Sequence, residues 1–249
     1  MEKMKCTLSY DGTNYSGFQI QENGRTIQGE IEKALKKIHK GKSIRIQASG
    51  RTDAGVHARA QVIHFETDLY LSEESWQRAL NTLLPADIYI HQVVEVPEFF
   101  HARFDAIAKE YHYFVFNRKE RDVFRKNYFY HFPHALDIEA MQAACQYFIG
   151  EHDFTACCST RSTIKGSKVR TLTKLSCEKQ GDEIKFVVRG NGFLQHMVRI
   201  IVGTLMEVGQ GLRNPEEIPV LLEKKDRRLL GKTVPAQGLY LLEVEYPSE

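Results

Sequence analysis

The sequence predicts an α+β fold built from two related α/β sandwiches. Strand-like and helix-like segments are interspersed along the chain, and each half contains strands together with two helices. The composition is that of an ordinary globular protein, since 42% of the 249 residues are apolar and 27% are charged. A chain of this length can form one large domain or two small ones. We therefore expect an N-terminal domain over residues 1–103 and a C-terminal domain over residues 104–249.

The first half begins with a predicted strand over residues 5–10, which ends at the turn signal Asp11-Gly12. A helix is predicted over 26–40, because its apolar residues recur on one face and its lysines on the other. Gly41 is a natural end for that helix. The remaining elements predicted in this half are strands over 44–48, 60–67 and 88–96, and a helix over 72–84 with Ser72 as its N-cap.

The second half begins with an aromatic-rich strand predicted over residues 106–117. The segment 193–208 is the most apolar helical stretch, so we expect a buried helix there. Asn214-Pro215 is a typical helix start, with a capping residue and a proline at the first position. The other predicted elements are a helix over 137–149 with an Asp cap, a hairpin of strands over 171–178 and 183–189, and a closing strand over 239–246.

Positive charge is concentrated in segments although the formal net charge is only +2. Residues 24–61, 118–126 and 157–174 are rich in Lys and Arg, and the compensating acids lie mainly in residues 66–98. Such segments can form a phosphate-facing surface. The alternative is that they are solvated loops and helix faces.

Cysteine usage and hydropathy indicate a cytoplasmic protein. The five cysteines contain no CxxC pair, so we expect free thiols in a reducing compartment. We expect no membrane span, because no apolar run approaches 18 residues, and no signal peptide at the start. We also expect no metal site at His131 and His134, because no cysteine or carboxylate cluster accompanies them.

The stretch most informative about chemistry is the predicted loop between the strands over 44–48 and 60–67. It contains Gly50-Arg51-Thr52-Asp53, followed by Ala54-Gly55. Glycines allow unusual backbone angles and close approach of a ligand. An arginine near the acid favours an ionised carboxylate, which can act as a nucleophile or a base. The alternative is an aspartate that caps its own turn.

Five motifs in order resemble the tRNA pseudouridine synthase A (TruA) family over nearly the whole chain. They are YDGTNYSGFQ at 10–19, GRTDAGVHA at 50–58, FHARF at 100–104 followed by KEYHY at 109–113, GFLQHMVR at 192–199 followed by IVG at 201–203, and PAQGLYL at 235–241.

This resemblance implies the pseudouridine synthase fold, with an extended, mainly antiparallel mixed sheet and a central cleft. It implies isomerisation of uridine to pseudouridine at positions 38, 39 and 40 in the anticodon stem-loop of tRNA. Asp53 would be the catalytic nucleophile. No metal or redox cofactor would be needed, because the reaction is an isomerisation. The family acts as a homodimer, and one tRNA contacts both protomers.

The resemblance also assigns roles to other residues of the predicted site. Tyr111 would stack on the flipped-out uracil, and Arg199 would pair with Asp53. Arg51 would contact the RNA or aid flipping, and Leu239 would lie under the pocket. The basic segment 157–174 is the candidate arm for tRNA. The carboxylate has three open roles, namely attack at C1′, attack at the base, or assistance to departure of the base.

Two other functions remain as alternatives at this stage. One is an RNA-binding module without catalysis, although no RNP1-like string is present. The other is a nucleoside or nucleotide hydrolase that uses Asp53 on a small substrate. The basic segments and the chain-wide resemblance argue against this second alternative.

Overall fold

The computed structural model describes residues 1–163 and 165–247 of the chain. In chain order its strands are β1 (Glu2–Tyr10), β2 (Gln47–Ala48), β3 (His57–Thr67), β4 (Ile88–Val96), β5 (Ala108–Phe116), β6 (Tyr130–His131), β7 (Gly150–Asp153), β8 (Val169–Gln180), β9 (Glu183–Gly190) and β10 (Leu239–Glu245). Its α-helices are α1 (Ile27–Ile38), α2 (Glu73–Leu83), α3 (Ile138–Cys145), α4 (Met197–Gly209) and α5 (Ile218–Glu223). The mixture confirms the predicted α+β class.

The chain divides into two compact units, Met1–Ile107 with Tyr240–Glu249, and Ala108–Leu239. These units differ from the predicted halves because the described residues from Tyr240 onward belong to the first unit. Tyr240 and Leu241 of β10 pair in parallel with His57 and Ala58 of β3. The predicted division at 103/104 into functional domains stays a prediction.

In the first unit the strands follow the order β4-β1-β3-β10, and β2 pairs with β3. The pairs of β1 with β3 and β4 are antiparallel. Thr26 caps α1 and Ser72 caps α2, each by accepting a hydrogen bond from a backbone N–H of the first turn. Buried Trp76 of α2 meets Phe65 of β3 edge to face, at 5.2 Å between ring centres, so the apolar face of the helix covers this sheet.

In the second unit the strands follow the order β5-β9-β8-β7, and β6 pairs in parallel with β5. The β5–β9, β8–β9 and β7–β8 pairs are antiparallel. Nearly every residue of α4 is buried, which confirms the buried helix expected from its apolar sequence. The helix α3 packs against α4 and β8.

Several predicted elements were wrong in extent. Only Gln47–Ala48 of the strand expected over 44–48 pairs with a neighbour. The helix expected from residue 193 begins at Met197, because His196 adopts a left-handed backbone conformation with φ of 64°. The strands β6 and β7 were not predicted. In the described part of the chain, no helix has the length and apolarity needed to span a membrane.

Candidate active site

The predicted catalytic loop lies in the first unit and connects β2 to β3. Buried polar side chains support it from the adjoining strands. The hydroxyl of Tyr10 lies 2.7 Å from Oγ1 of Thr52, and both residues are buried. The side-chain amide of Gln61 donates to the carbonyl oxygen of Gly50 at 3.1 Å, and Ser49 donates to Oε1 of Gln61 at 2.7 Å. The loop is therefore held by hydrogen bonds on both sides of Arg51, at the Gly50 carbonyl and at the Thr52 side chain.

Residues 11–19, which follow β1 and are called the opening segment here, pack directly on this loop. A Cβ atom added at Gly12 would overlap the carbonyl oxygen of Val56, so only glycine fits there. The N–H of Gly12 donates to Nδ1 of buried His57 at 3.1 Å. The N–H of Phe18 donates to the carbonyl oxygen of Thr52 at 3.1 Å. The first two motifs of the sequence are thus parts of one packed structure.

Asp53 and Arg51 differ in their exposure to solvent, although both belong to this loop. The N–H of Val56 donates to the carbonyl oxygen of Asp53 at 3.2 Å, and Gly55 has φ of 77°. Asp53 is half-buried, whereas Arg51 is exposed. A tightly held turn fixes the backbone position from which the carboxylate projects, and a nucleophile or base needs a defined position.

His57 is structural in this arrangement. Its Nδ1 accepts the hydrogen bond from the Gly12 N–H and also lies 3.1 Å from Oδ1 of Asp11. Its ring stacks on Tyr240 of the first unit, with ring centres 4.7 Å apart. The residue is 2% exposed, so its side chain supports the loop rather than facing solvent.

Tyr111 lies in the second unit on β5, opposite Val188 of β9. Its side chain is buried, and its ring meets Phe193 edge to face at 4.9 Å between centres. The neighbouring Tyr113 is fully buried, and its hydroxyl donates to the carbonyl oxygen of Pro235 at 2.8 Å. Burial raises the pKa of Tyr113 well above its usual value, so this phenol stays protonated.

Arg199 projects from α4 in the second unit. Its Nε donates to the carbonyl oxygen of Val234 at 2.7 Å, and the N–H of Val234 donates to the carbonyl oxygen of Arg199 at 3.3 Å. This reciprocal pair ties the guanidinium to the segment that leads into β10. Leu239, at the start of β10, is buried, as a core residue should be.

The three basic segments are not equivalent. In 118–126, Arg118 pairs with Glu120, and Arg125 pairs with Asp122 and Glu183. In 24–61 four cations form ion pairs, whereas Arg51 and Arg59 are exposed and take part in no ion pair among the described residues. In 157–174, Cys157 and Cys158 are buried, Ile164 lies outside the described residues, and the cations around it are largely exposed.

The predicted site residues therefore divide between the two units. Arg51 and Asp53 share one loop, whereas Tyr111, Arg199 and Leu239 lie in the second unit. The predicted pairing of Arg199 with Asp53 stays a prediction. Sequence reasoning missed the support from Tyr10 and Gln61. A polar amide within a largely apolar strand was the available signal for Gln61.

No group of three or more His, Cys, Asp or Glu side chains suited to a metal ion occurs among the residues that the structure describes. At His131 and His134 the sequence predicts no metal site. Nε2 of His131 lies 2.7 Å from the carbonyl oxygen of Arg118, within hydrogen-bond distance. The ring of His134 meets Phe132 edge to face. Both histidines thus have partners in local packing.

Comparison with known proteins gives consistent matches over the chain. The sequence model of a family described as tRNA pseudouridine synthase matches residues 7–105 and 144–247. A tRNA pseudouridine synthase A of Oceanobacillus iheyensis is 56% identical over 246 residues, covering 99% of this chain and 97% of the relative. A tRNA pseudouridine synthase A 1 of Bacillus cereus is 54% identical, with 99% of each chain covered.

A tRNA pseudouridine synthase A of Geobacillus kaustophilus is 52% identical, covering 100% of this chain and 96% of the relative. Among solved structures, the crystal structure of a Cbf5-Nop10-Gar1 complex has only a distant likeness, with 12% identity and a TM-score of 0.37 over 95% of this chain and 57% of that chain. The identities and their coverage show that the chain belongs to the tRNA pseudouridine synthase A family, a family of isomerases that act on tRNA.

Proposed function

We propose that this enzyme converts uridine to pseudouridine at positions 38, 39 and 40 in the anticodon stem-loop of tRNA, with Asp53 as the nucleophile. The observation that carries the proposal is the loop around Asp53. Its backbone is held by Gln61 and Phe18, while the Asp53 side chain keeps partial access to solvent. A fixed and accessible carboxylate suits covalent or acid–base chemistry at a bound nucleotide.

The proposed reaction balances within the substrate. The N1–C1′ glycosidic bond breaks, the uracil rotates, and a new bond joins C5 to C1′. C5 loses a proton and N1 gains one, so the product is an isomer of the substrate. No oxidant or reductant enters the balance.

Base flipping is part of the proposal, because a uridine in a helical stem is otherwise out of reach. Extrusion costs a few kcal/mol. Stacking on an aromatic side chain returns roughly 1–3 kcal/mol per base. We assign this stacking to Tyr111.

The hydroxyl of Tyr111 would assist removal of the C5 proton, so Tyr111→Phe should keep tRNA binding and lose most of its turnover. Full activity of that variant would limit Tyr111 to stacking.

The proposed pairing of Arg199 with Asp53 would keep the carboxylate ready for reaction. A guanidinium near a carboxylate favours its ionised form and fixes its direction. The bond from Nε to the Val234 carbonyl oxygen limits the positions that the guanidinium can take. Arg51 is exposed, in keeping with a contact to the RNA backbone or to the gap left by the flipped base.

We further propose that the enzyme works in the cytoplasm as a homodimer. All five cysteines are free thiols and all are buried, which suits a reducing compartment. Native mass spectrometry of the enzyme with and without tRNA tests the dimer. A single protomer bound to one tRNA would contradict it.

The experiment that tests the proposed function is pseudouridine mapping on an unmodified tRNA transcript without added cofactor. Wild type and Asp53→Asn are compared side by side. We expect modification at positions 38–40 by wild type, a loss of turnover of roughly 10³-fold or more in the variant, and tRNA affinity within a few fold. Normal turnover by Asp53→Asn would remove Asp53 from the mechanism. Inactivity of both proteins with retained tRNA binding would favour the non-catalytic RNA-binding alternative.

A further inference from the structure

We propose that Gln61 is a positioning residue that sets the direction of Asp53 by holding the loop on both sides of Arg51, at the Gly50 carbonyl directly and at the Thr52 side chain through Tyr10. The inference rests on the proposed role of Asp53. Gln61 lies on β3, and its side chain is fully buried. It does not touch the reacting atoms in this proposal, but acts through the loop.

The side-chain amide of Gln61 is satisfied at both ends. Its Oε1 accepts from the hydroxyl of Ser49 at 2.7 Å and from the N–H of Val62 at 3.2 Å. Its Nε2 donates to the carbonyl oxygen of Gly50 at 3.1 Å and to the hydroxyl of Tyr10 at 3.4 Å. The Val62 N–H can only donate and the Gly50 carbonyl can only accept, so these two groups fix which way the amide points.

The second contact of Nε2 extends the support to the far side of Arg51. Burial raises the pKa of Tyr10 to about 12, so its phenol keeps its proton. The Tyr10 oxygen accepts from Gln61, and the Tyr10 and Thr52 hydroxyls share a hydrogen bond of 2.7 Å in which either can donate. Gln61 thus holds Gly50 directly and Thr52 through Tyr10.

The carbonyl oxygen of Thr52 is held from another element, since it accepts from the N–H of Phe18 at 3.1 Å. Thr52 is therefore fixed through both its side chain and its backbone. Asp53 follows it directly and starts a turn that closes with the N–H of Val56. A rotation of the Thr52 peptide would redirect the Asp53 side chain, so the support reaches the proposed nucleophile through a single residue.

A leucine or methionine would fill the same buried volume without needing partners. Burying an amide is unfavourable unless all of its polar atoms are paired. Here each polar atom is paired, and two of the partners belong to the loop. The hydrogen bonds to the loop explain why a glutamine occupies this position. An apolar side chain would be sufficient if packing of the strand were its only role.

The test compares Gln61→Met with Thr67→Val in steady-state kinetics on a tRNA transcript, with thermal melting of each protein. Thr67 is the matched control, because it is a buried, hydrogen-bonded residue at the end of β3 that is farther from the loop, with bonds to His39 and the Leu69 N–H. We expect Gln61→Met to lower kcat about tenfold to a hundredfold with KM within a few fold, since small misplacement of a reacting group has effects of this size. We expect Thr67→Val to lower the melting temperature and leave kcat unchanged.

A lower melting temperature with wild-type kcat in Gln61→Met would overturn the inference and leave Gln61 with a stabilising role only. Tyr10→Phe is the second variant, needed if Gln61→Met fails to fold, and it removes only the hydroxyl that reaches Thr52. We expect a smaller loss of kcat in that variant, and wild-type kcat would again overturn the inference.

Asp53→Asn in the same assay separates the two proposals. Full activity of Asp53→Asn overturns the proposed function, and with it the premise of this inference. An inactive Asp53→Asn beside a fully active Gln61→Met overturns the positioning role alone.

Discussion

The loop that carries Asp53 and the basic segment 157–174 both contain glycine, yet their environments differ. The Asp53 loop is held by buried polar side chains and by the opening segment, so that a methyl group at Gly12 would overlap its backbone. The basic segment is largely exposed, and a Cβ atom added at its Gly166 meets nothing within 4 Å. Arg161, Lys165 and Lys168 form no ion pair among the described residues there.

The difference matches the two functions that we propose for these regions, catalysis by the loop and tRNA binding by the basic segment. Chemistry at a single bond needs a carboxylate held in one direction, and small errors reduce the rate steeply. Attraction of a phosphate backbone needs positive charge near the surface, and it tolerates variation in position. We therefore expect the loop to be sensitive to changes in shape and the basic segment to be sensitive only to changes in charge.

The largest expected effect is that of Gly12→Ala. The new methyl group would displace the Val56 carbonyl, so we expect a loss of about 3 kcal/mol in the free energy of unfolding. We also expect a loss of most turnover, because the Asp53 turn closes on Val56. Urea unfolding and pseudouridine formation on a tRNA transcript measure the two effects.

Gly166→Ala is the matched control for this change. It adds the same methyl group in open space, so we expect the free energy of unfolding to stay within about 0.5 kcal/mol and turnover to be normal. Equal damage from both variants would contradict the distinction between the two connections.

A smaller effect is expected when positive charge is removed from the basic segment. The double substitution Lys165→Gln and Lys168→Gln should weaken tRNA binding about tenfold at moderate salt and reduce the salt dependence of binding. At saturating tRNA the turnover should stay near wild type, because neither residue holds the Asp53 loop. Filter binding across a salt series tests this, and an unchanged salt slope would exclude the segment as a tRNA contact.

The smallest effect is expected for Arg118→Gln in the third basic segment. Arg118 already pairs with Glu120 at 3.0 Å and lies 3.7 Å from Asp182. Exposed ion pairs contribute little to stability, and a neutralised arginine adds little to the field felt by RNA. We expect tRNA affinity to remain within about twofold of wild type. The free energy of unfolding should remain within about 0.5 kcal/mol of wild type. A large loss of affinity would show that an ion-paired cation can still contribute to the tRNA-binding surface. Clustering of cations in the sequence would then identify that surface better than the absence of ion pairs does.

Elements with strong local signals were predicted well from the sequence. The strand over 88–96 matches β4, and Thr26 and Ser72 stand at the starts of α1 and α2. Periodicity and capping are local properties, so the sequence carries them directly. The strand expected over 44–48 is reduced to Gln47–Ala48, because pairing depends on which partner backbone lies alongside.

The sequence by itself determined the α+β class, the family and the loop that carries Asp53, since each follows from residues that are close together or from motifs in order. Only the tertiary structure decided what holds that loop. Tyr10 is distant in the chain from Gln61, and Phe18 is distant from Thr52; their hydrogen bonds arise from the pairing of β1 with β3 and the return of the opening segment. The structure likewise decided which cations are neutralised, because Arg125 meets Glu183 only when the chain is folded. Contacts between distant residues have no local signature, so they become visible only when the strands are in register.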